Sequence, residues 1–225
     1  MKKLSRAGVI IFGVGGVGSW CAESLVRTGI NNLTIVDSDI ICSTNINRQV
    51  QATSLNIGKS KAEELGVRLR AINPVANITA LHTVYDETTS HEFDLAAYDY
   101  VIDAIDSLKS KLLLLERCAA AGVTVYSSMG AGARNDPTKI KVDRIANTRN
   151  CPLARRVRKM LRDKNIDANI PCVYSEELPA GPTLEAVDSC DRKKQVNGSL
   201  VHVTAIFGFM LAGLVIENIA STLSA

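Results

Sequence analysis

The sequence lacks the patterns that define several classes of protein. None of its six cysteines forms a Cys-x-x-Cys pair, which argues against the paired-cysteine zinc site of a zinc ribbon. Its 26 basic and 23 acidic residues leave a net charge of only +3, so composition alone does not indicate a nucleic-acid-binding protein. With 46% hydrophobic and 22% charged residues, the composition is that of a folded chain and excludes a disordered one.

Signals for export and for membrane insertion are also missing. The first five residues lead directly into the apolar run Gly8–Phe12, which is shorter than the apolar region of a secretory signal. We therefore expect a cytoplasmic protein whose cysteines are reduced. The longest uncharged apolar stretch, Val203–Ile216, is shorter than the ~20 residues that cross a bilayer. This length favours a buried helix, and no stable membrane insertion is expected.

Short apolar runs alternate with helical patterns over the first two thirds of the chain. Strands are predicted at residues 8–12, 33–36, 78–81, 101–105 and 123–126, and helices at 16–28, 59–72 and 110–121. This alternation predicts an α/β fold of Rossmann type, with a doubly wound, mainly parallel sheet. We expect one domain over residues 1–225, with a functional excursion at about 145–198 before a C-terminal strand and helix.

A glycine-rich loop follows the first predicted strand. Its pattern is Gly-x-Gly-x-x-Gly, in which Gly13, Gly15 and Gly18 are the defining positions and Gly16 lies between them. Glycines let backbone N–H groups approach a phosphate at a helix N-terminus. Asp37 ends the next strand, where a carboxylate accepts hydrogen bonds from ribose hydroxyls. The spacing predicts a nucleotide site in preference to a turn that only packs a helix onto the sheet.

The polar residues beyond Asp37 do not suit a dehydrogenase. Two cations and several polar groups are expected at the carboxyl edge of the sheet, beside the glycine-rich loop: Asp39, Asn45, Arg48, Gln49, Lys61, Asp106 and Ser107. Cations and a carboxylate at that edge would bind a triphosphate and its metal ion. A hydride-transfer site does not need these side chains. Taken singly, each residue is typical of a solvated surface, but together they predict an ATP site.

These motifs resemble those of the ubiquitin-activating enzyme superfamily, which includes the bacterial adenylyltransferases of thiamin and molybdopterin synthesis. The order and spacing agree over about residues 8–130. The resemblance implies that Asp37 holds the ribose of ATP and that Arg48 and Lys61 hold its phosphates. It also implies that Asn45 faces the leaving group and that Asp106 holds a magnesium ion. The implied reaction activates a carboxylate as its acyl-adenylate, which requires cations placed in advance.

The second half of the chain resembles one branch of that superfamily. The segments Gly130-Ala-Gly132, Asp136-Pro-Thr138, Cys151-Pro-Leu-Ala154 and Val203–Gly208 look like the tRNA threonylcarbamoyladenosine dehydratase family. This resemblance implies ATP-dependent cyclisation of a modified nucleoside in tRNA by a homodimer, with a sulfur-transfer protein as a further candidate partner. Two alternatives stay open: an adenylyltransferase for a small sulfur-carrier protein that ends in glycine, and a nucleotide-binding protein without turnover.

The sequence departs from that family at two places. Family members carry a further helical segment before the first strand, and Met1–Leu4 resembles only the end of it. Either the start is misassigned or the segment is missing. Cys151 stands where the family usually has an aspartate, so no role of that aspartate is carried over to this chain.

Two cysteines of the excursion are candidates for a catalytic nucleophile, because superfamily members that form thioesters place a cysteine in this region. The bases Arg192, Lys193 and Lys194 lie close to Cys190 in sequence, and they would lower the pKa of its thiol. The alternative for Cys190, and more strongly for Cys172, is a small residue that only packs.

The excursion also contains a basic segment, where six bases between Arg155 and Lys164 accompany one acid. Leu153, Val157 and Leu161 recur every four residues, which predicts a helix with this stripe packed against the protein. The bases predicted to face outward are Arg155, Arg158, Lys159 and Arg162. They form either a surface that binds tRNA phosphates or an ordinary solvated face.

Overall fold

The computed structural model describes residues 3–181 and 198–221. In these residues the strands are β1 (Gly8–Phe12), β2 (Asn32–Val36), β3 (Asn77–Leu81), β4 (Tyr100–Asp103), β5 (Thr124–Ser128), β6 (Ile140–Arg144) and β7 (Pro171–Ser175). The helices are α1 (Gly18–Thr28), α2 (Lys61–Ile72), α3 (Leu108–Ala121), α4 (Pro152–Asp163) and α5 (Val201–Ser221).

The strands form one sheet in the order β3-β2-β1-β4-β5-β7-β6. Every neighbouring pair is parallel except β6 and β7, which are antiparallel. The chain winds outward from β1 to β3 and then returns to the other side of β1 with β4. The carboxyl ends of β1 and β4 therefore flank the topological switch point, where α/β sheets bind their ligands. The predicted doubly wound, mainly parallel sheet is confirmed.

Both faces of the sheet are covered by helices. Leu25 of α1, Leu65 of α2 and Phe207 of α5 belong to the apolar core on one face. Leu115 of α3 and Val157 of α4 belong to the core on the other face. Because the central strands are buried on both sides, their sequences are apolar throughout and do not alternate.

Helix α5 packs closely against α1. A Cβ on Gly208 would lie 2.5 Å from the carbonyl oxygen of Val17 and 2.8 Å from the backbone nitrogen of Cys21, so only glycine permits this crossing. Within the described residues, α5 is the one helix long and apolar enough to span a membrane, with a mean hydropathy of 1.9. Half of its most apolar 18-residue window is buried inside the protein. The predicted buried helix at Val203–Ile216 is confirmed by the core positions of its residues.

Sequence patterns located the first five strands and first three helices to within two residues at each end. In the described part of the predicted excursion at residues 145–198, α4 covers one face of the sheet and β7 pairs with β5. The C-terminal strand expected after residue 199 is wrong. Helix α5 begins at Val201, three residues after the described segment resumes, and its buried residues pack in the core with α1.

Candidate nucleotide and active site

The glycine-rich loop joins β1 to α1 at the switch point. Gly13 has a φ of +86°, and a Cβ there would lie 2.8 Å from the carbonyl oxygen of Ala104, just beyond β4. A residue with a side chain would therefore be strained and would clash. No side chain caps α1 at Val17, so the positive end of this helix is open to an anion. The loop has the construction of a phosphate-binding site.

Asp37 lies directly after β2 and is hydrogen-bonded to the backbone of the glycine-rich loop. Its Oδ2 accepts a hydrogen bond from the backbone N–H of Val14 at 2.7 Å, and its Oδ1 accepts one from the N–H of Asp39 at 2.8 Å. Burial raises the pKa of Asp37, although Lys61 and these two N–H groups oppose that rise. Each carboxylate oxygen has a second acceptor site, so Asp37 holds the loop and can also accept from a ribose hydroxyl.

Lys61 is the first residue of α2 and is buried near the loop. Its Nζ donates to Asp39 Oδ2 at 2.7 Å, while its backbone N–H donates to the carbonyl oxygen of Asp39 at 3.0 Å. Ser60 caps α2 by accepting a hydrogen bond from the N–H of Glu63. The cap and the ion pair fix the ammonium group, which has two further N–H donors for a ligand.

Arg48 approaches the loop from the segment between β2 and α2. A Cβ on Gly16 would lie 3.2 Å from Cγ of Arg48, so the stem of the arginine rests on the loop. Its Nη1 donates to the carbonyl oxygen of Thr44 at 2.6 Å, and its own carbonyl accepts from Trp20 at 3.0 Å. These contacts place a second cation beside the glycines.

Asn45 and Gln49 are buried in the same segment. The Oδ1 of Asn45 accepts from the N–H of Cys42 at 3.1 Å, and its carbonyl accepts from the N–H groups of Arg48 and Gln49, so Asn45 fixes the turn that carries Arg48. Gln49 is 4% exposed, and its Oε1 has no hydrogen-bond partner in the part of the chain that the structure describes. Its Nε2 would lie 3.8 Å from a Cβ on Gly15. A buried acceptor without a partner beside the loop is a position at which a bound ligand supplies the donor.

Asp106 and Ser107 lie exposed beyond the carboxyl end of β4, across the switch point from the glycine-rich loop. Strand β4 ends at Asp103, two residues earlier than predicted, so Asp106 is part of the turn that leads into α3. The structure thus brings Asp106 to the same sheet edge as Gly13 and Asp37.

A buried network under this turn was not predicted from the sequence. Asp103 and Lys111 are both fully buried, with Nζ and Oδ2 2.6 Å apart. Ser127 donates to the same oxygen at 2.6 Å, and the N–H of Ile105 donates to Oδ1 at 3.1 Å. The network holds the backbone of the turn that carries Asp106. The sequence did offer one indication of this network. Lys111 falls on the same helical stripe as Leu115 and Cys118, which predicts a buried lysine that needs an acidic partner.

Of the two cysteines predicted as candidate nucleophiles, the structure describes only Cys172. Cys172 lies in β7 and is fully buried, and burial raises its pKa to about 12. A thiol in this state is not a nucleophile at neutral pH, so the packing alternative is confirmed for Cys172. Cys190 and the neighbouring bases lie outside the described residues.

The basic segment forms helix α4, as predicted, with Val157 and Leu161 fully buried. One outward-facing assignment is wrong. Nη1 of Arg158 donates to the carbonyl oxygens of Ile145 and Thr148 and to Thr148 Oγ1, at 3.2, 3.0 and 2.8 Å. Arg158 therefore fixes the preceding turn. The bases of α4 that are exposed are Arg155, Arg156, Lys159 and Arg162.

The fold and these contacts define a class: a Rossmann-type nucleotide-binding protein, with a phosphate-binding loop at the switch point and two cations beside it. The chain belongs to the ThiF family, whose model matches residues 1–223. The family resemblance inferred from the motifs is confirmed.

Several relatives are named tRNA threonylcarbamoyladenosine dehydratase. The chain is 36% identical over 231 residues to the tRNA threonylcarbamoyladenosine dehydratase of Haemophilus influenzae, a match that covers 97% of this chain and 88% of the relative. It is 35% identical to the Escherichia coli dehydratase, over 93% of this chain and 85% of that protein. The E. coli enzyme in complex with ATP superposes with a TM-score of 0.88 at 33% identity, covering 99% and 90% of the two chains.

Proposed function

We propose that this protein is an ATP-dependent dehydratase that acts on threonylcarbamoyladenosine in tRNA. The observation that carries the proposal is the match to dehydratases over nearly the full length of both chains, including a structure with ATP bound. The site supports the same conclusion, because its loop and cations suit a nucleotide polyphosphate.

The described residues fit ATP. The open N-terminus of α1 and the glycine-rich loop suit phosphate oxygens, and Gln49 offers a buried acceptor that lacks a donor. Arg48 and Lys61 supply positive charge on either side, and Asp37 accepts from the ribose. Because these groups are fixed by the protein before the reaction, they stabilise the charge that develops on the phosphate oxygens without reorganisation.

Magnesium is proposed as the accompanying ion. The described residues contain no cluster of three or more His, Cys, Asp or Glu side chains that could hold a metal ion. Mg²⁺ in nucleotide sites is commonly held by one or two carboxylates together with phosphate oxygens. Asp106, at the end of β4, is the residue proposed to hold it, with Ser107 beside it. When bound, the ion neutralises phosphate charge.

The proposed reaction has two steps. A threonyl carboxylate oxygen attacks the α-phosphorus of ATP, the bond to the β-phosphate oxygen breaks, and pyrophosphate leaves. A nitrogen of the same nucleoside then attacks the acyl carbon, loses its proton, and displaces AMP. The nucleoside loses the elements of one water in total. The second step is intramolecular, so the protein has mainly to orient the reactants and exclude water.

Further parts of the proposal concern Cys190 and the assembly. Since the second step is intramolecular, the expected route needs no thioester, although Cys190 remains the candidate if a covalent step occurs. We propose a cytoplasmic homodimer without stable membrane insertion. Phe209 of α5 is 47% exposed and stacks edge-on with Trp20, an exposed apolar contact that suits a subunit interface. A sulfur-transfer partner stays a prediction.

Pyrophosphate release distinguishes the proposal from its alternatives. The protein is mixed with ATP, Mg²⁺ and one of three partners: tRNA carrying threonylcarbamoyladenosine, the same tRNA without the modification, or a small sulfur-carrier protein ending in glycine. Release is expected only with the modified tRNA, because only it presents the carboxylate that attacks ATP.

The alternatives predict different patterns in the same assay. Release with the carrier protein alone would favour the sulfur-carrier adenylyltransferase. Absence of release with every partner, while ATP still binds, would favour a nucleotide-binding protein without turnover. Heat-denatured protein is the control for contaminating hydrolysis.

A further inference from the structure

Arg134 is a buried cation without an acidic partner in the described part of the chain. The residue is 3% exposed, and its Nη1 donates to the carbonyl oxygen of Gly132 at 3.0 Å. Its Nε and Nη2 are also buried and have no hydrogen-bond partner among residues 3–181 and 198–221. Arginine stays charged at any physiological pH, and a buried charge is costly unless it is paired. The structure thus contains a guanidinium group that an anion would complete.

Arg134 lies at the same sheet edge as the nucleotide site. It follows β5, and the end of β5 pairs with the end of β4, where Asp103 is aligned with Ser127. Along the carboxyl edge, the order is therefore the phosphate loop after β1, Asp106 after β4 and Arg134 after β5. An anion bound by Arg134 would lie on the side of Asp106 away from the glycine-rich loop.

Gly130 leaves space beside the guanidinium group. A Cβ at this position would lie 3.5 Å from Nη1 of Arg134, 3.7 Å from Sγ of Cys151 and 3.8 Å from Cβ of Leu153. The space above Gly130 is therefore bounded by the guanidinium group on one side and by the first residues of α4 on the other.

The second boundary of this space is also positive. Helix α4 has 12 residues, and its N-cap, Cys151, makes no side-chain capping bond. Pro152 occupies the first helical position, so the dipole of α4 and its first N–H groups point to the N-terminal end without a capping side chain. The helix N-terminus and a guanidinium group whose Nε and Nη2 lack a partner among the described residues independently favour an anion at one place.

We propose that Arg134 and the N-terminus of α4 form an oxyanion site for the RNA substrate. The ligand is the threonyl carboxylate or a backbone phosphate of the same tRNA, since the guanidinium fork matches both groups. This inference rests on the proposed function. It assigns ATP to the ends of β1 and β4 and the acidic group of the RNA to the end of β5.

The test measures RNA binding with AMP present, by fluorescence anisotropy, for the wild type, Arg134→Gln and Arg134→Lys. Two anticodon stem-loops serve as probes, one carrying threonylcarbamoyladenosine and one carrying unmodified adenosine. Loss of a charged hydrogen-bonding group should weaken binding by about 10- to 100-fold in Arg134→Gln, with partial rescue by lysine. The KM for ATP should not change. If the ligand is the carboxylate, only the modified probe is affected; if it is a phosphate, both are.

Cys151→Asp changes a side chain that borders the same space above Gly130 and keeps Arg134 in place. Aspartate is a favourable N-cap, so α4 should gain stability, which thermal unfolding measures. Cys151→Ser, which adds no charge, should keep wild-type RNA affinity.

The inference and the proposed function fail in distinguishable ways. If the wild type forms AMP with modified tRNA while Arg134→Gln binds both probes normally, the oxyanion site is overturned and the function stands. If the wild type forms no AMP, the proposed function fails, whether or not RNA binding depends on Arg134. If the wild type binds neither probe, both fail.

Discussion

Two carboxylates near the end of β4 have opposite environments, although only two residues separate them. Asp103 is fully buried and is paired with Lys111 and Ser127, whereas Asp106 is exposed at the sheet edge. The first holds the turn in place, and the second is placed to meet a ligand. Substitution should therefore affect different properties at the two positions.

Asp106→Ala should abolish pyrophosphate release and leave the melting temperature unchanged, because the side chain belongs to no core. Asp103→Ala should lower the free energy of unfolding by about 3–5 kcal/mol, because it leaves Lys111 buried and unpaired. Urea denaturation and the pyrophosphate assay measure the two effects. Wild-type turnover in Asp106→Ala, or an unchanged stability in Asp103→Ala, would show that the roles are wrongly assigned.

The residues that sequence patterns could identify are those with a fixed spacing to a strand end. Gly13, Asp37 and Asp106 fall at such positions, and the structure brings them to one edge. Lys111 and Arg134 have no such spacing. Their importance depends on burial and on which polar atoms surround them, and neither is decided by local sequence.

At the scale of the element, α4 combines an apolar stripe with a basic outer face. Its exposed bases are joined by others in β6 and the connecting turns. Between Lys139 and Lys164 there are ten basic and two acidic residues, while the rest of the chain has 16 basic and 21 acidic ones. The small net charge of the whole protein therefore hides a strongly basic region, which suits an RNA backbone.

Replacement of Arg155, Lys159 and Arg162 by alanine should weaken tRNA binding. Each phosphate contact contributes about 0.7 to 0.9 to the slope of log affinity against log salt, so the slope should flatten by about 2 to 3. ATP affinity should not change. The control is a variant in which Arg27, Lys59 and Lys109 are replaced by alanine. These three bases are exposed and lie outside α4, and their replacement removes the same amount of positive charge. Equal slopes for the two variants would mean that tRNA binds elsewhere.

Elements of the first half were predictable because each buried strand is followed by a clear turn and an amphipathic helix. Strands β6 and β7 were not predicted. Strand β7 pairs with β5 only after the chain has crossed through β6 and α4, a long-range contact that periodicity does not reveal. Helix α5 was predicted over Val203–Ile216, but the strand expected before it is absent among the described residues, where β-branched residues such as Val203 pack in the helix instead.

On the scale of the whole molecule, the sites follow the carboxyl edge of the sheet. The residues proposed to hold the ribose and the phosphates lie at the ends of β2 and β1. Asp106 follows β4, Arg134 follows β5, and the basic helix α4 begins beside Gly130. One edge thus leads from the proposed nucleotide site to the proposed RNA surface. Holding both substrates along one rigid sheet reduces the entropic cost of bringing the carboxylate to ATP.

The mass of the modified nucleoside tests the central claim most directly. tRNA carrying threonylcarbamoyladenosine is incubated with the protein, ATP and Mg²⁺, digested to nucleosides under mild conditions, and measured by mass spectrometry, with Asp106→Ala in parallel. The wild type is predicted to convert the nucleoside to a form lighter by one water and to produce one AMP for each nucleoside converted. An unchanged nucleoside mass in the presence of bound ATP would contradict the proposed function.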